Sequence, residues 1–335
     1  MIESRNGTRT IGILGIGTSV PQDTLTNADL EKIVDTTDEW IRTRTGITER
    51  RKSRPEEAAS DFGAEAARKA LEAAGITKDQ IGLIICATMT PDNMCPSTAC
   101  HVQRMLGIDR VIAFDMNAAC TGFVYGLTTA KYYLQAGMCD HALVIGVDML
   151  TKFTDYQDRG TCVLFGDGAG AAVLGEVSPG KGLLGEYLSA DGRLSEAIHV
   201  PAGGSRQPAT AETLKERGHY LRMKGNEVFR FAVNILGESV EKAVEGCGLK
   251  VGDVDLVIPH QANIRIIEAA AKRLSVPRER FVVNLEKYGN TSAASIPLAM
   301  ADALADGRIK DGSLLALVAF GGGLTWGATI VRWGR

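Results

Sequence analysis

Residues 68–85, RKALEAAGITKDQIGLII, decide the fold, because the same pattern returns at residues 241–258 as EKAVEGCGLKVGDVDLVI. Both copies contain helix-forming residues that end at a glycine, Gly75 and Gly248, which is a common residue just past the last turn of a helix. A short link and a β-branched apolar run follow in each copy, which predicts a buried strand. A period of this length is too long for a solenoid, so we predict two copies of one helix–strand domain.

Two further pairs of apolar runs correspond between the copies. Residues 111–114 (VIAF) resemble 281–284 (FVVN), and 142–145 (ALVI) resemble 315–318 (LALV). Runs of this kind, separated by helices, favour mainly parallel sheets that are buried on both faces. The predicted fold class is therefore α/β, with two duplicated halves.

The domain boundary is predicted at SPGKG, residues 178–182, because proline and glycine mark a break between elements. The halves are then residues 1–178 and 179–335. Residues 191–224 fit neither a regular strand nor an amphipathic helix, which indicates an irregular insertion that forms either a site wall or a surface excursion.

Composition excludes several classes of protein. The chain has 335 residues, 45% hydrophobic, and a formal net charge of −3, which gives no basis for a nucleic-acid or membrane surface. The glycine-rich run at 11–20 favours a first strand over a signal peptide. Seven cysteines without a C-x-x-C spacing indicate neither a disulfide framework nor a zinc site. We therefore predict a cytoplasmic protein with no metal.

Cys120 is the strongest candidate for a reactive residue. It lies between the apolar run 111–114 and a helix-like stretch at 123–136, where backbone N–H groups and the helix dipole favour a thiolate. Half ionisation at neutral pH requires lowering a thiol pKa of about 8.5 by about 1.5, which is about 2 kcal/mol. A helix terminus supplies roughly 0.3–2 kcal/mol. The alternative is a buried structural cysteine.

The duplication places other polar residues at similar positions. At a spacing of 170 residues Cys120 corresponds to Asn290, and His260 follows the predicted strand that ends at Pro259. The carboxyl ends of strands carry the ligands of open α/β sheets. Gly321–Gly323 also follow a strand, and their N–H groups can approach a ligand oxygen closely. Thiolate attack on a carbonyl, with His260 and Asn290 donating to an enolate oxygen, is the chemistry this set favours.

On these residues the sequence resembles the 3-oxoacyl-[acyl-carrier-protein] synthase III family along nearly its whole length. The matching motifs are NAACTG at 117–122, PHQAN at 259–263, YGNTS at 288–292 and FGGG at 320–323. The resemblance implies a thiolase-like fold with α-β-α-β-α layers and an enzyme that initiates type II fatty acid synthesis. It also implies acyl-CoA and malonyl-acyl-carrier protein as substrates, no cofactor, and a homodimer.

The resemblance assigns a role to individual residues. Cys120 is acylated, His260 and Asn290 promote decarboxylation, and the N–H groups of Cys120 and Gly322 form the oxyanion hole. The implied CoA-binding residues are Trp40, Arg44, Arg159 and Asn263. An indole face and guanidinium groups suit a purine that carries phosphates.

The implied carrier-binding residues are Arg230, Gln261, Arg265, Lys272 and Arg273. Arg265, Lys272 and Arg273 share one face of a predicted helix, which would attract an acidic carrier protein. A solvated charged face is the alternative. Cys95 departs from the family, since many members have a bulky aromatic residue there that limits the partner subunit's acyl pocket. Because cysteine is smaller than an aromatic residue at this position, the pocket is predicted to accept longer or branched primers.

Three alternative functions remain open at this point. A polyketide or quinolone starter enzyme would share Cys120, His260 and Asn290 yet use other primers. A Cys-His-Asn hydrolase would share the residue types. A non-catalytic carrier-binding scaffold would leave Cys120 unmodified.

Overall fold

The structure, a computed structural model, describes residues 9–335. The strands are β1 (Ile11–Ser19), β2 (Thr24–Thr26), β3 (Glu49–Arg51), β4 (Ile81–Ala87), β5 (Ile112–Met116), β6 (His141–Met149), β7 (Asp167–Glu176), β8 (Gly182–Ala190), β9 (Ile198–His199), β10 (Arg222–Met223), β11 (Leu256–Pro259), β12 (Leu314–Gly321) and β13 (Thr325–Arg332). The helices are α1 (Asn27–Leu30), α2 (Asp38–Thr45), α3 (Ala59–Ala74), α4 (Thr98–Leu106), α5 (Gly122–Gln135), α6 (Arg159–Cys162), α7 (Ala211–Lys215), α8 (Gly225–Gly246), α9 (Ile264–Leu274), α10 (Leu285–Tyr288) and α11 (Ser295–Ala305).

Two large sheets repeat the same strand order. The first runs β1-β7-β6-β4-β5 and the second runs β8-β13-β12-β11, with Phe281 bridging beside β11 where β5 lies in the first sheet. Both sheets are mixed. In the first sheet β4 is parallel to β5 and β6, and β7 is antiparallel to β6 and β1. In the second sheet β11 is parallel to β12, and β13 is antiparallel to β12 and β8. The predicted duplication is therefore present in space.

Within residues 9–335 the elements form five layers around three large apolar cores, and a fourth, small cluster contains Leu150, Phe165 and Leu221. Helices α3 and α4 cover the outer face of the first sheet, and α8 and α9 cover the outer face of the second. Helices α5 and α11 lie between the sheets, where Phe123 and Met300 are fully buried with side chains from both sheets. The faces that these two helices turn toward the sheets are apolar, whereas Tyr132, in the last turn of α5, is 54% exposed. The predicted α-β-α-β-α arrangement is confirmed.

The chain crosses between the sheets through residues 177–181, which join β7 to β8. One early segment nevertheless packs on the other half: Leu25, Leu30 and Ile41, from β2, α1 and α2, are buried in the same core as α8 and α9. The halves therefore share a core. The domain limits 1–178 and 179–335 stay a prediction, and residues 1–8 lie outside the described residues.

Within residues 9–335 no helix combines the length and apolar character that a bilayer span requires.

Gly146 shows how tightly the halves approach one another. A Cβ at this position of β6 would lie 2.3 Å from the carbonyl oxygen of Ala293, which is backbone of the second half. We expect Gly146→Ala to lower the free energy of unfolding by about 3 kcal/mol, the upper end of the usual cost of overpacking, because backbone must move. Urea denaturation measures the change.

Gly246→Ala is the matched control, because it changes the last residue of α8, where an added Cβ meets nothing within 4 Å. Alanine there should leave stability unchanged or raise it by about 0.5–1 kcal/mol. Equal stability of the two variants would contradict the close packing at Gly146.

Candidate active site

One cavity of about 510 Å³ opens beyond the carboxyl ends of the central strands. Five predicted site residues line it, namely Cys120, Asn263, His260, Asn290 and Gly322. The 191–224 segment forms one wall through Ile198, His199, Val200, Leu221 and Met223. That segment is therefore a site wall, one of the two interpretations that the sequence left open.

The Cys120 turn is held by residues of the second half. A 3₁₀ turn at 119–121 precedes α5. The Thr325 hydroxyl donates to the Ala118 carbonyl at 2.9 Å and lies 3.0 Å from the Thr121 hydroxyl. A Cβ at Gly321 would lie 2.6 Å from the Cys120 nitrogen, so only glycine lets β12 come this close. The glycine loop and the cysteine turn therefore lie in contact.

The two strand-to-helix turns are equivalent, but the predicted residue correspondence is wrong by three positions. Ala119 and Ser292 both have a left-handed backbone, with φ of 47° and 50°. Each of them donates its N–H to an asparagine Oδ1, Asn117 at 3.2 Å in the first turn and Asn290 at 2.9 Å in the second. Asn290 therefore corresponds to Asn117, because the hydrogen bonds of the two turns align these residues with each other. The spacing of 170 residues was taken from the preceding strands, and the loops between those strands and the turns differ in length.

The resting state of Cys120 differs from the prediction. The pKa of the Cys120 thiol is raised to about 12, mainly because the thiol is buried. The nearby Ser292 hydroxyl lowers this pKa, and the charge of Asp148 raises it. The residue keeps part of its surface open to the cavity, but the sulfur lies deep among protein atoms. The predicted thiolate at rest is therefore wrong: desolvation outweighs the helix terminus, and the thiol must lose its proton during attack.

His260 is a neutral imidazole in this site. It is 1% exposed, and burial lowers its pKa from 6.5 to about 3. Its backbone N–H donates to the Val318 carbonyl at 2.7 Å, and its Nδ1 lies 2.7 Å from the Ser295 hydroxyl. Ser295 thereby fixes the ring and leaves Nε2 as the nitrogen available to a ligand in the cavity.

Asn290 is fixed by the first half of the chain. Its N–H donates to the Leu164 carbonyl at 2.8 Å, and its carbonyl accepts from the Gly166 N–H at 3.0 Å. Its Oδ1 accepts from the Ser292 N–H, so the side-chain amide nitrogen remains as a donor. The cavity therefore receives one neutral imidazole nitrogen and one amide donor beside the sulfur.

The predicted nucleotide-binding residues gather outside this cavity. The Arg159 guanidinium lies over the Trp40 ring at 5.0 Å from its centroid and donates to the Asp35 carbonyl at 2.9 Å. Arg44 adjoins the cavity lining, because its carbonyl accepts from the Asn263 side chain at 3.0 Å. Asn263 also caps α9 by accepting the Arg265 N–H. Trp40, Arg44 and Arg159 do not line the cavity itself.

The predicted carrier-binding residues divide into exposed and buried. Arg230, Arg265, Lys272 and Arg273 are exposed. Arg265 lies over Phe229, a cavity-lining ring, whereas Arg273 is paired with Glu241 at 3.0 Å.

Gln261 is a correction to the predicted carrier surface. Gln261 is only 1% exposed. Its side-chain NH₂ group donates to the Pro259 and Val282 carbonyls, and its side-chain oxygen, Oε1, accepts from the Asn284 N–H. All of its polar atoms bind backbone, so it holds the loop after β11 and cannot contact a protein on the surface.

Cys95 is exposed and does not line the cavity of its own chain. The residue next to it, Met94, is 84% exposed.

Sequence reasoning missed Ser295 and Asp148. Ser295 begins α11, and Asp148 lies within β6, where a lone acidic residue in an apolar run was the only available signal. Among the residues that the structure describes, no cluster of three His, Cys, Asp or Glu side chains is placed to hold a metal ion.

Comparison with known proteins gives a consistent result. Models of 3-oxoacyl-[acyl-carrier-protein] synthase III match residues 114–192, and models of its C-terminal part match 244–333. The β-ketoacyl-[acyl-carrier-protein] synthase III of Symbiobacterium thermophilum is 55% identical over 327 residues, which are 98% of this chain and 99% of that protein.

Two solved structures superpose over nearly the whole chain. The 3-oxoacyl-[acyl-carrier-protein] synthase III of Aquifex aeolicus VF5 is 46% identical with a TM-score of 0.89, covering 96% of this chain and 100% of that one. The priming β-ketosynthase of the R1128 polyketide pathway is 34% identical with a TM-score of 0.90, covering 98% and 97%.

The pH at which His260 takes up a proton tests whether its imidazole is buried in the folded protein. Because the folded pKa is lowered to about 3, the imidazole should stay neutral throughout a titration from pH 8 to pH 5. The unfolded chain takes up this proton near pH 6.5, so His260 contributes stability that is present above pH 6.5 and is lost as the pH falls toward 3. Nitrogen-15 NMR of the imidazole, with a His260→Gln variant to assign the signal, measures the titration; a midpoint near 6.5 would contradict this environment.

Proposed function

This chain belongs to the 3-oxoacyl-[acyl-carrier-protein] synthase III family, and we propose that Cys120, His260 and Asn290 carry out its two half-reactions in the cavity described above. It is an acyl-transferring condensing enzyme that initiates fatty acid synthesis. The observation that carries the proposed roles is the convergence of one thiol, one neutral imidazole nitrogen and one amide donor on a single cavity.

The first half-reaction is acyl transfer from acyl-CoA to Cys120. The sulfur attacks the thioester carbonyl, a bond forms between the carbonyl carbon and the Cys120 sulfur, the bond to the CoA sulfur breaks, and CoA leaves as a thiolate that takes a proton from water. The N–H groups of Cys120 and Gly322 stabilise the oxyanion, which the close approach of the glycine loop to the cysteine turn supports. These donors are backbone groups held by both halves, so little reorganisation accompanies attack.

The second half-reaction is decarboxylative condensation with malonyl-acyl-carrier protein. Loss of carbon dioxide leaves an enolate, whose oxygen accepts hydrogen bonds from the His260 Nε2 and the Asn290 amide. The enolate carbon attacks the acyl group on Cys120 and the carbon–sulfur bond to Cys120 breaks, giving 3-oxoacyl-carrier protein and a Cys120 thiolate that regains a proton. A neutral imidazole suits this role because it donates without needing to be charged, and burial keeps His260 neutral.

The hydrogen bonds disfavour a Cys-His-Asn hydrolase. In such a triad the asparagine orients the histidine. Here Ser295 contacts the His260 Nδ1, and the Asn290 Oδ1 is occupied by the Ser292 N–H. The two side chains therefore act on a ligand side by side.

Nucleotide and carrier recognition follow the exposed basic residues. We propose that Trp40, Arg44, Arg159 and Asn263 bind CoA, with Arg159 moving off the indole face to admit the purine, because 5.0 Å leaves no room for a ring between them. Arg230, Arg265 and Lys272 are proposed to attract the acidic carrier protein. Arg273 contributes less, since Glu241 neutralises it.

A homodimer is proposed on the exposed edge of the first sheet. Strand β5 pairs on one side only, with β4, and its residue Ile112 is 37% exposed. Other large apolar side chains in the same half, Met94, Tyr132 and Met138, are each more than half exposed. An open, apolar sheet edge is a surface that a second copy can cover. Cys95 is then placed to act on the partner subunit's acyl pocket.

Separate assays of the half-reactions test the proposed roles. Cys120→Ala should abolish acyl-enzyme formation in intact-protein mass spectrometry after mixing with acyl-CoA, because the nucleophile is gone. His260→Ala should slow condensation with malonyl-carrier protein at least tenfold more than it slows acylation. Acyl label on the Cys120 variant, or equal loss of both steps in the His260 variant, would overturn these assignments.

Primer choice and subunit assembly test the role of Cys95. The wild type should accept isobutyryl- and octanoyl-CoA as well as acetyl-CoA, and Cys95→Phe should narrow acceptance toward acetyl-CoA by filling the gate. Sedimentation equilibrium should give twice the chain mass for both proteins. Strict acetyl preference in the wild type would reject the open gate, and a monomer would reject the partner's involvement.

A further inference from the structure

Asp148 is a buried carboxyl group behind the active site that none of the steps above uses. It lies in β6 with no exposed surface. Its Oδ1 accepts four hydrogen bonds, from the Thr88 hydroxyl at 3.1 Å, the Met89 N–H at 2.8 Å, and the Thr90 N–H and hydroxyl at 3.1 and 2.9 Å. Its Oδ2 accepts one aligned hydrogen bond from the described residues, a long one of 3.4 Å from the Ala293 N–H. One oxygen is therefore saturated, and the other has capacity to spare.

Ser292 adjoins both Asp148 and Cys120. It immediately precedes Ala293, whose N–H bonds the Asp148 Oδ2, and its turn packs against the Cys120 turn. Its side chain has no exposed surface, and its hydroxyl makes no aligned hydrogen bond with any described residue. The hydroxyl is nevertheless close enough to lower the pKa of both the Cys120 thiol and the Asp148 carboxyl. A hydroxyl has one hydrogen, so it can donate to one neighbour only while it accepts from the other. An orphaned buried hydroxyl is costly, which points to a role during turnover.

We propose that Ser292 and Asp148 form a proton relay that accepts the Cys120 proton in the acyl-transfer step. The thiol proton passes to the Ser292 oxygen while the Ser292 hydrogen passes to the Asp148 Oδ2. This gives a thiolate, an intact serine and a neutral aspartic acid. The proton stays on Asp148 while Cys120 is acylated, and the departing CoA thiolate takes a proton from water. When condensation releases Cys120 as a thiolate, the proton returns to it by the same path, so the relay is restored over one cycle.

The environment favours this acceptor over the imidazole. Among the described residues, the titratable groups around the path include His260, which follows β11, Asp148 on β6 and Cys86 on β4. Asp115, Asp148 and Asp92 are close enough to Cys86 for their charges to raise its pKa. Burial keeps His260 a weak base and raises the pKa of Cys86 well above its usual range. Burial also raises the pKa of Asp148, against the hydrogen bonds that lower it, so desolvation makes this carboxylate a better proton acceptor than one in water. The inference rests on the proposed role of Cys120 as the acylated residue.

Ser292→Ala is the decisive variant. Alanine fits the left-handed turn, because Ala119 adopts nearly the same φ at the equivalent position of the first half. Acyl-enzyme formation by rapid-quench mass spectrometry should slow about 100-fold at pH 7, as expected on losing acid–base assistance. Without the relay hydroxide must take the proton, so the rate should rise about tenfold per pH unit between pH 7 and 9, while the wild-type rate changes little. Once acylated, the variant should condense with malonyl-carrier protein at the wild-type rate.

Asp148→Asn should show the same slowed and pH-dependent acylation, and circular dichroism establishes whether it folds. If it does not fold, Ser292→Ala alone decides the question. Thr291→Val is the matched control, since it removes the neighbouring buried, unpartnered hydroxyl and should acylate like the wild type. Wild-type rate and pH dependence in Ser292→Ala, or equal loss in both half-reactions, would overturn the relay. Absence of acylation in the wild type would instead overturn the proposed function.

Discussion

The close contact between two equivalent strand-to-helix turns, residues 119–121 and 292–294, is the constraint on which the rest of the structure depends. The turns belong to different halves, and both begin with a left-handed residue, Ala119 or Ser292. Gly146 and Gly321 permit the approach, because a side chain at either would collide with the backbone of Ala293 or Cys120. The cysteine therefore occupies a position that neither half could build alone.

Burial at this contact sets the chemistry of the site. The same desolvation that raises the pKa of Cys120 lowers that of His260, so both groups are neutral at rest. A neutral imidazole can donate to an enolate oxygen, but a neutral thiol must lose its proton before it attacks. Under the proposed roles, the site favours the condensation step without further adjustment, and acyl transfer needs a proton acceptor. Asp148, whose Oδ2 accepts a single long hydrogen bond among the described residues, is the acceptor that we propose.

Sharing between the halves extends to the surface that is proposed to bind CoA. The segment that carries Trp40 belongs to the first half of the sequence, yet Ile41 and Ile47 are buried in the core of the second half with α9. The same helix α9 begins at Asn263, whose side chain bonds the Arg44 carbonyl. The residues proposed to bind the nucleotide, the cavity lining at Asn263 and the basic helix α9 therefore form one continuous structure, which would suit admission of CoA and a carrier protein in turn.

The sequence by itself determined the duplication and the α/β class, and it indicated Cys120, His260, Asn290 and the glycine loop as the candidate site. These follow from hydrophobic periodicity and from residue types at strand ends, which local sequence records directly, whereas the order of the layers was implied by the family resemblance. Only the tertiary structure decided which way polar side chains point and what surrounds them. Gln261 lies in a site motif but turns inward to the backbone, Asn290 matches Asn117 instead of Cys120, and Ser292, Ser295 and Asp148 gave no clear local signal. The protonation states were equally beyond the sequence, because desolvation depends on atoms that residues far apart in the chain bring around a group, and here it outweighs the helix terminus that local sequence predicts.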